Sequence, residues 1–404
     1  MKVVYKDLAR FLDQKPTMHE ISEKLFQLGH ENSFSGDIFE VDLTPNRGDC
    51  LSVQGLAREL SIFYGKGKMP IIYEEEISEL ELDFDNLSPN DCPLITFLDI
   101  EVENPNPEYK DYLEDYFKNF KLNKTNFFAD VSNFISYELG QPTHCYDSQK
   151  ITSKLIFDKK DLNMSFKTLH GDEILLEGKN CIFSMNDSVI GLAGIMGGES
   201  TACTKSTKKA LVECAFFNPE SIIGKSLQYN LNSDAAHKFE RGVDSSSQIY
   251  ALRRFIKVIS DHSKISSLKI KSFEYSEEKL KSLAIDEKRI EDILGIKLKK
   301  QKYIEYLKKL NFKVSDKIYI PPYRHDISSQ NDIAEEIARV IGYDNIGNDP
   351  IRLQAKKSNS RDDLFYSIKS FLISHGFSEV INFPFVKDTS KTAIKIDNPL
   401  DSNK

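Results

Sequence analysis

Apolar positions fall into short runs whose spacing switches repeatedly between helical and strand-like. Leu8, Phe11 and Leu12, and then Ile21, Leu25 and Leu28, recur at helical intervals and predict two short helices, the second stopped by Gly29. Residues 36–44 read as a loop and a strand, and Thr44-Pro45-Asn46-Arg47-Gly48-Asp49-Cys50 as a turn before a helix over 51–60. The alternation Glu79-Leu80-Glu81-Leu82-Asp83-Phe84-Asp85 predicts a half-exposed strand entering a new domain near residue 90. From 94 to 260, strand-like runs at 94–102, 154–157 and 211–217 alternate with Gly-rich turns and a few helical stretches. That pattern predicts an α+β domain with a mostly antiparallel sheet.

Residues 262–283 read as a strand-like connector into a module of different character. Amphipathic helices over 286–294 and 301–310, a hairpin at 312–314 and 318–320, and a third helix over 328–341 closed by Gly342 suggest a winged-helix type of unit. A helix over 361–375, stopped by Gly376, and a strand over 380–385 open a further domain that has barely begun at Lys404. The expectation is an α+β multidomain chain: an N-terminal α+β region (1–89), a central domain (90–264), a connector (265–283), a winged-helix-like module (284–355) and the start of another domain (356–404). No internal repeat is evident.

The 404 residues are 40% hydrophobic and 29% charged, a balance that folds rather than one that stays disordered. A formal net charge of -8 excludes a globally basic nucleic-acid binder, so any RNA contact must use local patches. The 6 cysteines form no C-x-x-C pair, which speaks against a zinc ribbon or a disulfide framework. The first residues lack the apolar core of a signal peptide, and nothing later approaches the roughly 20 apolar residues that cross a bilayer, so a cytoplasmic protein is expected.

Chemistry has several candidate locations. Asp332, Glu335 and Glu336 share one side of a predicted helix with Asp326 just before it, a carboxylate patch that suits a hard cation such as magnesium or is simply a solvated acidic face. The loop Gly191-Leu192-Ala193-Gly194-Ile195-Met196-Gly197-Gly198-Glu199 permits close backbone approach to a ligand or makes a tight turn, and it is neither a dinucleotide nor a Walker loop. His144 and His237 are each either structural or catalytic. Glu213, inside the apolar run 210–217, either points to solvent or is buried for a purpose. Arg47 and Asp49 fit a capped, ion-paired turn. Neither a Gly-x-Ser-x-Gly elbow nor a His-x-x-x-His pair supports a serine hydrolase or a zinc protease.

The stretches 44–52, 138–144, 194–199, 213–217, 233–244 and 341–346, in that order, resemble the β subunits of bacterial phenylalanyl-tRNA synthetase. The resemblance implies that the central domain is an editing domain hydrolysing tyrosine mischarged onto the phenylalanine tRNA. On that reading His144, Glu213, Ser233 and Ala235 line the pocket, with Glu213 recognising the tyrosine hydroxyl, Ala235 leaving room for the ring and His144 orienting ester or water. It also implies that Asp326, Asp332, Glu335 and Glu336 bind magnesium, and that ATP-dependent ligation sits on an α subunit, two α joining two β around tRNA(Phe). Alternatives are a non-editing scaffold subunit and a free-standing deacylase. Two family modules have no counterpart here: an oligonucleotide-binding-fold tRNA module, whose place is taken by the short loop 29–36, and the C-terminal domains beyond the α-docking stub.

Overall fold

The computed structural model describes residues 1–276, 280–347, 363–382, 394 and 396. It comprises two compact units, Met1–Gly347 and Asn348–Lys404. In the second, one helix spans Asp363–Ser374, residues 377–382 form neither helix nor strand, and the rest of the strand expected over 380–385 lies outside the described residues.

The first unit begins with strand β1 (Lys2–Val4), helices α1 (Tyr5–Ala9) and α2 (Met18–Gln27), strands β2 (Glu31–Ser35) and β3 (Ile38–Asp42), and helix α3 (Val53–Tyr64), with sheet order β1-β3-β2. The supposed loop 29–36 is therefore largely a strand, paired with β3 over its full length. Its alternating exposure and its Asn and Ser residues hid it from a reading based on apolar runs.

The central region carries β4 (Ser78–Glu79), β5 (Phe84–Asn86), β6 (Leu94–Val102), α4 (Asp111–Phe120), α5 (Phe127–Leu139) and β7 (His144–Asp147). The long hairpin β8 (Leu155–Lys167) and β9 (Glu173–Met185) follows, then β10 (Ser188–Leu192), β11 (Met196–Gly197) and β12 (Lys209–Phe216). Two helical turns α6 (Pro219–Ile222) and α7 (Lys225–Gln228), helices α8 (Asp234–Phe239) and α9 (Gln248–His262), and strand β13 (Ile265–Glu274) complete it. One sheet has the order β4-β13-β6-β12-β7 and the other β11-β10-β9-β8-β5. All pairings are antiparallel except β4 with β13 and β5 with β8. The expected half-exposed strand over 79–85 is split between these two sheets, and β13, expected as a strand-like connector, is a strand that belongs to the first sheet and pairs with β6 along its length.

β6 and β12 lie between neighbours and are covered on both faces, which is why they read as nearly continuous apolar runs. Alternate residues serve different layers. Leu98, Ile100, Val212 and Cys214 pack toward α5 and α9, while Ile95, Phe97, Leu211 and Ala215 face Phe157 and Phe183 of the second sheet. Glu213 belongs to the second set and points into the apolar layer between the sheets.

After β14 (Ser282–Leu283) come α10 (Glu287–Leu294), α11 (Lys300–Lys309), the hairpin β15 (Lys313–Val314) and β16 (Ile318–Tyr319), and α12 (Gln330–Ile341). The element order is strand, two helices, two strands, helix, and the sheet order is β14-β16-β15. This is the order and pairing of β1 to α3, so the chain contains a structural repeat that its sequence concealed. Among the described residues no helix is long and apolar enough to cross a membrane.

Candidate functional site

Strand alternation and register build the site. Glu213 on β12 pairs with His144 on β7, and Tyr146, two residues on, emerges on the same face. The three side chains meet in a narrow pocket also lined by Phe183, Ala235, Phe239 and the glycine-rich loop from Gly191 to Gly197.

Tyr146 donates its hydroxyl proton to Glu213 Oε2 at 2.6 Å. Burial pushes the Glu213 carboxyl up to about 7, although that hydrogen bond pulls the other way. The group is therefore poised between carboxylate and carboxylic acid near neutrality. Burial drives His144 down to about 4, so its imidazole is neutral over the same range. The ring stands edge-on to Tyr146, 4.4 Å between centroids, and its buried Nε2 has no partner among the described residues.

The loop glycines are sterically required. A Cβ on Gly197 would lie 2.3 Å from His144 Cε1 and 2.7 Å from its Nε2. Gly194, at φ +69, sits against Phe217, Ile222 and Phe239. Only glycine allows the loop to close on the histidine.

The expected pocket residues divide. His144, Glu213 and Ala235 line the cavity, the last from the first turn of α8. Ser233 does not line it: its hydroxyl accepts from the Ala236 N–H at 3.1 Å and donates to the Ile195 carbonyl at 2.6 Å. It caps α8 and ties that helix to the glycine-rich loop. His237 is exposed and contacts Arg241, away from the pocket. Sequence reading passed over Tyr146 and Phe183, for which only period-two spacing from His144 and the apolar pattern of β9 offered a signal.

The four expected magnesium ligands are not gathered around one point. Arg324 grips Asp326 with two hydrogen bonds of 2.9 and 2.8 Å and Glu336 with two more of 2.8 Å. Arg339 also donates to Glu336, at 2.9 Å. Asp332 turns back to cap α12 by accepting from the Ser328 and Ser329 N–H groups, and Glu335 is exposed. An ion shared by all four would have to detach Glu336 from two buried guanidinium groups and Asp332 from its cap. The residues as placed do not fit it. Arginine neutralises Asp326 and Glu336, the two acids that lie closest to buried charge.

A matching arrangement stands in the first module. Arg47 binds Asp49 at 2.9 and 3.0 Å and Glu59 at 3.1 Å, repeating the Arg-x-Asp spacing and the partner twelve residues on seen at Arg324. Arg339 joins the two clusters through Glu59 at 2.8 Å and the Leu28 carbonyl at 2.6 Å. Arg58 binds Asp49 at 3.2 Å and lies 3.5 Å over the Tyr323 ring. Burial disfavours the charged forms of Asp49, Glu59 and Glu336, but the neighbouring arginines outweigh it and hold all three carboxyls below their ordinary range. His30, Cys50 and Glu59 are the single set of three possible ligand atoms close together among the described residues, and both Glu59 oxygens already face arginine. All six thiols are free, and five are buried.

Comparison with known proteins places this architecture. A B3/4 domain is recognised over residues 92–264 and a tRNA synthetase B5 domain over residues 283–343. The chain is 32% identical over 394 residues to the phenylalanine-tRNA ligase beta subunit of Carboxydothermus hydrogenoformans, covering 90% of this chain and 47% of that protein. For the Psychrobacter arcticus protein of the same name the identity is 30% over 379 residues, covering 86% and 45%. An N-terminal fragment of the phenylalanyl-tRNA synthetase beta-subunit from Pyrococcus horikoshii matches 84% of this chain and 99% of its own at 15% identity and a TM-score of 0.46. The chain spans about half the length of the curated relatives it matches. It is homologous to phenylalanine-tRNA ligase beta subunits and carries a B3/4 domain and a tRNA synthetase B5 domain.

Proposed function

We propose that this chain serves as a β-type subunit of phenylalanine-tRNA ligase and that its B3/4 domain removes tyrosine esterified to tRNA(Phe). In this reading ATP-dependent ligation of phenylalanine takes place on a partner α subunit, in an assembly of two α and two β. The observation that supports editing is the convergence of Glu213, His144 and Ala235 with the glycine-rich loop on one pocket.

The residues suit ester hydrolysis with selection for a phenol. A tyrosine side chain enters beside Ala235, and its hydroxyl donates to Glu213. Phenylalanine leaves that buried carboxyl without the bond, which makes phenylalanine esters poor substrates. Neutral His144 holds the attacking water or the ester oxygen by hydrogen bonding and does not act as a strong base, because its imidazole binds a proton only near pH about 4. Water adds to the ester carbonyl, the acyl–oxygen bond breaks, and tyrosine and the free tRNA 3′ end are released. Ser233 maintains the loop position through Ile195.

The purified chain, alone and with its α partner, is incubated with tyrosine-charged and with phenylalanine-charged tRNA(Phe). Release of tyrosine that is lost in Glu213→Ala, with phenylalanine retained, is the expected result. Absence of tyrosine release in both preparations overturns the editing reading and leaves a scaffold.

A further inference from the structure

We propose that Tyr146 is the positioning residue of this pocket: its hydroxyl pins one carboxyl oxygen of Glu213, leaves the other for the substrate phenol, and favours the ionised, accepting form of the acid. The proposal rests on the editing reading above and names how that site recognises its substrate.

The geometry carries it. Tyr146 is 1% exposed and reaches Glu213 Oε2 at 2.6 Å from the adjacent strand, in a register that fixes both backbones. Its ring is wedged between His144 at 4.4 Å and Phe183 at 6.3 Å, so the hydroxyl has little freedom to turn away. One rigid side chain thus contacts both polar members of the pocket. A carboxylate only accepts hydrogen bonds, and its two oxygens offer several acceptor sites. With Oε2 occupied from within the fold, Oε1 remains for a hydroxyl donor. A protonated Glu213 would carry a donor of its own and discriminate less sharply for a phenol.

The other neighbours leave this control to Tyr146. Phe97 lies opposite Glu213 on β6, while Phe183, Phe239 and Ala235 close the pocket without charge. His144, the titratable group facing it from β7, is neutral near pH 7. The nearby thiols of Cys92, Cys145 and Cys214 are all pushed up by burial and stay protonated. Among the described residues no lysine or arginine lines the pocket.

The test uses Tyr146→Phe, which keeps the ring and removes one oxygen. Infrared carboxyl-stretch titration, assigned by subtracting Glu213→Gln, is expected to show Glu213 ionisation weakened about ten- to hundredfold in the variant, as loss of a hydrogen bond to a charged group requires. The pH profile of tyrosine release from charged tRNA moves upward by the same amount, with activity recovered at alkaline pH. In the unmutated chain the ring C–O stretch of Tyr146 follows the same midpoint as the carboxyl. An unchanged carboxyl midpoint in the variant, or separate midpoints for the two groups in the parent, overturns the proposal. A shifted carboxyl midpoint with no tyrosine release from any preparation supports the action of Tyr146 on Glu213 and overturns the editing reading instead.

Discussion

Glu213→Gln tests the electrostatics of the pocket apart from any enzymology. Glutamine keeps the shape and an acceptor for the Tyr146 hydroxyl but cannot ionise. In the folded chain the Glu213 carboxyl is raised from 4.5 to about 7 by burial. For an acid so raised, the folded state binds more protons than the unfolded state between those two values. Stability contributed by the neutral group is complete below the unfolded value and is lost as pH climbs through the folded one. At 1.36 kcal/mol per pKa unit, the loss is about 3 kcal/mol once pH exceeds about 7. The variant escapes this loss. Relative to the parent it is expected to gain roughly 3 kcal/mol in central-domain stability as pH rises from about 4.5 to about 8. Parallel urea titrations of both proteins, read by hydrogen exchange of β12 amides, report that domain without assuming that the whole chain unfolds in one step. A stability difference that is flat in pH refutes the reasoning, because Glu213 would then titrate alike in the folded and unfolded chain.

Three further outcomes follow from the same geometry. Arg339→Met leaves Glu59 and Glu336 each short of a buried guanidinium and is expected to cost about 3–5 kcal/mol, measured by denaturation monitored in the first and B5 modules; a loss below about 1 kcal/mol would refute the role given to the arginine network. Gly197→Ala drives a methyl into His144 and is expected to abolish tyrosine release while the circular dichroism of the chain is retained; full activity in this variant refutes the close packing of loop on histidine. Magnesium titration of the chain is expected to leave its melting temperature unchanged, since Glu336 and Asp332 are already engaged; a rise that is lost in Glu336→Gln would show that the acids regroup around an ion.

Local patterns carried much of the architecture. β6, β12, the helices α10 to α12 and their hairpin lie where apolar spacing placed them, because each buries a face that its own sequence displays. What escaped depends on distant partners. The strand character of β13 was legible but its place in the central sheet was not, because its lysines and serines interrupt the apolar pattern while its backbone groups pair with β6 along the strand. The magnesium expectation shows the same weakness in the opposite direction. Four acids near one helix were visible, but Arg339 is 280 residues from Glu59, and no local pattern foretells which cation will neutralise which acid. Of the pocket residues, Glu213 was legible because a carboxylate in an apolar strand is costly without a purpose. Tyr146 was not, since a buried tyrosine is unremarkable until its hydroxyl partner is known.

The two modules that share one topology also give the pocket its foundation. Gly48 of the first module lies so close to α8's exit that a Cβ there would stand 2.6 Å from the Arg241 carbonyl oxygen and 2.7 Å from that of Gly242. His325, beside the Arg324 cluster, forms a 2.7 Å hydrogen bond between its Nε2 and the Val243 carbonyl and stacks on Phe216 at 5.9 Å. Phe216 ends the strand that carries Glu213, and Val243 closely follows the helix that carries Ala235. Thus the stretches 44–52 and 233–244, far apart in sequence, meet at one seam, and the Arg47 to Arg339 network ties the 44–52 side of that seam to the B5 module. Loosening the network should therefore alter the pocket as well as the modules. In Arg339→Met, impaired tyrosine release before any global unfolding would establish that coupling, whereas full activity up to the melting transition would show that the central domain holds its pocket unaided.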